Sequence, residues 1–74
     1  MYLNVTKEVE QSETFKAMMM VLEHFSSIDH TDWHGDEGVQ VTDWLSGNGD
    51  LVASQAVWAD GTVTMEITDK YSIE

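Results

Sequence analysis

Two turn signals, Ser46-Gly47-Asn48-Gly49-Asp50 and Asp60-Gly61, bracket the stretch 51–59 and constrain the fold of this chain more than any other feature. Glycines and small polar residues let a backbone reverse without steric cost, and Asp-Gly is favoured at the centre of a type I′ hairpin. The flanking residues suit a pleated, half-buried surface: Val39, Val41, Trp44 and Leu45 before the first turn, Leu51, Val52, Val57 and Trp58 between the two, and Val63, Met65 and Ile67 after the second. An antiparallel meander over residues 39–45, 51–59 and 62–68 is the expected result.

Register follows from turn length. A two-residue loop at Asp60-Gly61 sets Ala59 opposite Thr62, Trp58 opposite Val63, Ala56 opposite Met65 and Ser54 opposite Ile67. A four-residue loop over 47–50 sets Ser46 opposite Leu51. Together they gather Val39, Val41, Leu45, Val52, Ala56, Trp58, Val63, Met65 and Ile67 on one apolar face. Thr42, Trp44, Gln55, Thr62, Thr64, Glu66 and Thr68 fall on the other, exposed face.

Upstream, residues 2–7 alternate like a short strand, although Lys7-Glu8-Val9-Glu10-Gln11 equally suits the start of a helix. Residues 12–26 are the clearest helix: Phe15, Met18, Leu22 and Phe25 recur at three- and four-residue steps, Met19 and Val21 widen the stripe, and Ser12 is the N-cap. Residues 27–38 lose all periodicity and read as a loop. The expected fold is α+β, a single small domain over residues 1–74 in the order β-α-β-β-β. One amphipathic helix packs on an antiparallel sheet of three to four strands.

Composition then narrows the partner. Fourteen acids against three lysines and no arginine give a net charge of −11, which disfavours nucleic acid or an anionic membrane as a direct partner and favours a basic protein surface. With no cysteine there is neither a disulfide nor a thiolate zinc site. Met1-Tyr2-Leu3-Asn4 carries no basic leader, and the apolar run 17–22 is too short to span a bilayer, so a cytoplasmic protein is expected.

The candidate partner-binding acids fall into two groups: Asp29, Asp32, Asp36 and Glu37 in the expected loop, and Asp43, Asp60, Glu66 and Asp69 on or beside the sheet. Carboxylates two apart on a strand lie about 6.5–7 Å from one another, close to the path between successive phosphates of a nucleic acid. Trp33 and Trp44, exposed aromatics flanked by charge, are the expected partner-binding anchors, and Trp58 is expected in the core. A face bearing Trp44, Val57 and Leu51 also permits a homodimer. Of His24, His30 and His34, the last two are four apart, as in a two-histidine zinc site on a helix, but Gly35 and the nearby acids speak against a helix there and residues 32–38 do not fit a calcium loop, so no metal and no cofactor is expected. No serine or threonine stands in a nucleophile motif, and the chain reads as a non-enzyme.

In size, charge balance, absence of cysteine and mixed α/β character, the whole chain resembles the small acidic inhibitors encoded by bacteriophages and other mobile elements. These include anti-restriction proteins, uracil-DNA glycosylase inhibitors and some anti-CRISPR proteins. The resemblance implies an inhibitor that binds a basic groove of a nucleic-acid-processing protein, as a DNA mimic or by blocking the groove. The alternative reading is an acidic adaptor that binds a basic protein without imitating DNA.

Overall fold

Strand β1 (Tyr2–Asn4) opens the chain, two helices follow as α1 (Lys7–Gln11) and α2 (Glu13–Leu22), and four strands complete it: β2 (Ser26–His34), β3 (Glu37–Leu45), β4 (Leu51–Val57) and β5 (Val63–Ile67). The computed structural model describes residues 1–68. The strands form one antiparallel sheet in the order β1-β5-β4-β3-β2. The class is the expected α+β, with five strands in place of three or four and two helices in place of one among the described residues.

Ser12 divides the helical region. Its extended backbone (φ −73°, ψ 145°) ends α1, and its hydroxyl accepts from Phe15 N at 3.1 Å to start α2. Thr6 does the same for α1, accepting from Val9 N at 3.2 Å. Each cap satisfies a helical N–H that lacks a carbonyl partner. The predicted cap is therefore in place, but α2 stops at Leu22, short of residue 26, where Phe25 N turns back to Leu22 O at 3.0 Å. Leu22 is buried. Phe15, Met18, Met19 and Phe25 pack beside it, while Met20 and Val21 face outward.

Between β3 and β4 the expected register holds, with Val41 opposite Ala56 and Trp44 opposite Ala53. Next to the turn it shifts, because Leu45 pairs with Leu51 and leaves Val52 as the extra residue of a bulge. Val52 and Ala53 are consecutive yet both buried in the core.

Between β4 and β5 the register is one residue from expectation: Val57, not Trp58, faces Val63. The cause is the turn. Gly61 N donates to Trp58 O at 3.0 Å, Trp58 N donates to Thr62 O at 2.8 Å, and Gly61 takes φ +89°. This is a three-residue loop with a left-handed glycine, which spares Asp60 the positive φ that a type I′ turn would require. Asp60 Oδ1 instead accepts from Thr62 N at 2.9 Å. A one-residue slip exchanges the faces of one strand relative to its neighbour. The core therefore joins Met65 and Ile67 of β5 to Ala53 of β4 and Trp44 of β3. Val39, Val41, Ala56 and Trp58 lie on the opposite side.

Residues 27–38, expected as a loop, form most of a long hairpin. β2 pairs with β3 without interruption from Ser26↔Leu45 to His34↔Glu37. Gly35 opens the turn at φ +65° and Asp36 has no positive φ, the pattern of a type II′ turn with glycine first. Every residue of β2 is exposed, so no apolar alternation marks it in the sequence. The helices cover β1, β5, β4 and the Trp44 end of β3, as the core membership shows, and β2 contributes nothing to that core. Extents of 34 × 32 × 18 Å describe a slab with helices on one side of the sheet.

Candidate protein-binding face

Strand alternation and register place Tyr2 and Asn4 of β1, Thr64 and Glu66 of β5, Ser54 and Ala56 of β4, Val41 and Asp43 of β3, and His30 and Asp32 of β2 on the side away from the helices. Asp43 sits within this open face with both oxygens engaged. Oδ1 accepts from Ser54 Oγ at 2.8 Å, and Oδ2 lies 2.8 Å from His30 Nε2, whose N–H donates to it. Serine and histidine are each bound to the carboxylate and not to each other. That order does not prepare an imidazole to deprotonate a hydroxyl; it holds the carboxylate in a fixed orientation.

At the other end of the face, Trp58 bridges strands. Its Nε1 donates to the buried Thr64 hydroxyl at 2.9 Å, and its ring lies 5.5 Å from that of His34, tilted by 44°. His34 Nε2 is 3.4 Å from Asp32 Oδ2. Beside Trp58 an open groove of about 410 Å³ is lined by Tyr2, Asn4, Glu37, Asp60 and Thr64, among others. Hydrogen bonds from the Thr62 hydroxyl and then from its amide hold the Asp60 carboxyl below the usual carboxylate range.

The helix side of β2 is polar and tied across the hairpin. Thr42 Oγ1 donates to Asp29 Oδ1 at 2.8 Å, and Thr31 Oγ1 donates to Gln40 Oε1 at 3.3 Å. Trp33, 66% exposed, lies over Gly38, where an added Cβ would come within 3.3 Å of its ring. Such an aromatic–glycine pair covers backbone that no side chain of its own would shield.

The structure brings the predicted acids partly together. Asp32, Glu37, Asp43 and Glu66 share the open face; Asp36 lies in the β2–β3 turn, Asp60 in the β4–β5 turn, and Asp29 with Trp33 on the other side of β2. Trp44 does not belong to the site. It is 9% exposed and packs in the core, because the core lies on the side of β3 opposite to the expected one. Asp69 lies outside the described residues. No described strand carries acids two apart: Asp29 and Asp32 point to opposite faces, and Glu37 opens β3 while Asp43 lies near its far end. The close spacings arise across strands instead. Asp32 and Glu37 are diagonal neighbours about 7–8 Å apart, and Asp43 and Glu66 stand two strands apart, about 10 Å.

Among the described residues, the basic side chains nearest these acids are histidines, His30 beside Asp43 and His34 beside Asp32; neither Lys7 nor Lys16 pairs with any of them. Sequence reasoning missed the His30–Asp43–Ser54 cluster and the outward role of Trp58, since both depend on β2 being a strand and on the true β4–β5 register. Among the described residues no group of three or more His, Asp or Glu is placed to hold a metal ion, and no helix is long and apolar enough to cross a membrane. No family model, curated protein or solved structure matches the chain.

Proposed function

We propose that this chain is an acidic inhibitor that binds the basic groove of a nucleic-acid-processing protein and blocks it, in the manner of the small inhibitors encoded by bacteriophages and other mobile elements. The observation that carries the reading is the sheet face away from the helices, which Asp32, Glu37, Asp43 and Glu66 share and where, among the described residues, no lysine lies between them. Asp36 and Asp60 add charge at two of its turns. A net charge of −11 steers such a face toward a cationic groove, and the sheet holds its carboxylates at fixed separations before binding. The cross-strand separations of about 7–10 Å supply the phosphate-like spacing that no single strand provides.

The test is capture on the immobilised chain, followed by challenge of the retained protein with salt and with duplex DNA. Release by both is the expected result. Replacing Asp32, Asp36 and Glu37 together by lysine is expected to slow association more than it lowers stability. Binding that ignores salt contradicts the proposal, and a target that holds DNA and this chain at once is an adaptor's partner and not an inhibitor's.

A further inference from the structure

The two edges of the sheet differ in length and in protection. β1 is three residues long and β2 is nine. An exposed edge strand offers unpaired N–H and C=O groups, and proteins usually blunt such an edge with lysine, proline or a bulge. β2 contains neither lysine nor proline and its pairing with β3 is unbroken, so its guard is the negative charge of Asp29 and Asp32, which repels an acidic strand and not a basic one. Because the Gly35-Asp36 loop has two residues, His34 and Glu37 form a hydrogen-bonded pair and the pattern alternates from there. The backbone groups of Ser27, Asp29, Thr31 and Trp33 therefore point away from the sheet, and among the described residues nothing covers them.

Charge identifies the occupant. Asp29 lies on one side of the edge and Asp32 on the other, with Asp36 and Glu37 at its end, and the strand contains neither lysine nor arginine. We propose that the outer edge of β2 takes an extended, lysine- or arginine-bearing segment of a partner protein as a sixth strand, the backbone supplying the ladder and Asp29 and Asp32 reading basic side chains on alternate faces. Exposed Ile28 and Trp33 give apolar side chains of that segment a surface to lie against. A second copy of this chain is a poorer occupant, since it brings the same −11 charge to the same edge. The inference rests on the reading of a basic protein partner and adds the mode of its attachment.

The probe is a synthetic peptide of alternating lysine and valine, titrated into the full chain while amide exchange and NMR shifts are followed. The expected result is salt-sensitive binding with new protection at Ser27, Asp29, Thr31 and Trp33. Thr31→Pro removes a donor that β3 does not use and is expected to weaken the peptide about tenfold or more, with the NMR spectrum of the remaining sheet retained. Should that variant fail to fold, the same peptide N-methylated at alternate residues asks the question from the other side, because it keeps the charge and loses the ladder. Equal binding of the methylated peptide, or shifts confined to the Asp43 face, overturns strand addition and leaves the basic-partner reading standing. Absence of binding, or binding indifferent to salt, overturns both. Concentration-dependent protection of the same amides without peptide assigns the edge to a second copy and overturns the proposal.

Discussion

The half of the sheet under the helices and the half beyond them are built by different forces. In the first, Met65, Ile67, Ala53 and Trp44 are buried against Leu22, Phe15 and Met18, and each strand persists because its side chains leave water. In the second, no residue of β2 is itself buried, and the strand persists through its backbone pairing with β3, cross-strand ties such as Thr42 to Asp29, and the burial of its β3 neighbour Val39 on the face away from the helices. The contrast separates a region whose side chains must be apolar from one whose side chains are free of that demand. Acids cost little on β2, since no residue there must be apolar.

The sharpest way to break this comparison is to truncate one tryptophan in each half. Trp44→Ala is expected to cost about 3–5 kcal/mol in urea unfolding, whereas Trp33→Ala, at an exposed site, costs under about 1 kcal/mol. Equal losses would show that β2 contributes no less to stability than the core does. Next in size is Gly61→Ala, expected to cost about 1–2 kcal/mol because Gly61 sits at φ +89°; an unchanged midpoint would mean that the turn rearranges.

A pH titration at Asp60 resolves a finer effect. Its carboxyl is depressed below 3.8, so the stability it lends the turn is fully present above that value and is lost as pH falls through the lowered one. Asp60→Asn should remove that acid dependence, and an unaltered acid limb in the variant would count against the turn bonds as its cause. Smallest of all, Asp29→Asn is expected to move stability by no more than about 0.5 kcal/mol, measured by the same urea midpoint.

What could be read from the sequence follows the same division. Ser12 as a cap, the stripe Phe15, Met18, Leu22 and Phe25, and the β3–β4 register away from its turn were legible, because capping chemistry and burial leave a periodic trace. β2 was not legible, since a strand exposed on every residue needs no alternation and resembles a polar loop. The error at Asp60-Gly61 has a different origin: two loop lengths suit the same dipeptide, and the choice depended on the Thr62 amide bonding to the Asp60 side chain. That single residue of slip placed Trp44 outside and Trp58 inside, the reverse of their positions. The acids themselves were legible as candidates. Their grouping was not, because it arises between strands whose pairing the sequence did not disclose.

The pairing of β1 with β5, with Leu3 opposite Met65 and Ile67 N donating to Met1 O at 2.7 Å, also sets an order of assembly during synthesis. The hairpins from β2 to β5 join neighbours in the chain and need only short loop closures. The first strand must wait for the last. At roughly 5–20 residues per second, the apolar stripe of α2 leaves the ribosome a few seconds before the strand that completes its cover. Throughout that interval the nascent chain presents methionine, leucine and phenylalanine to whatever lies nearby, and its like charges are the means it carries for keeping neighbouring copies apart.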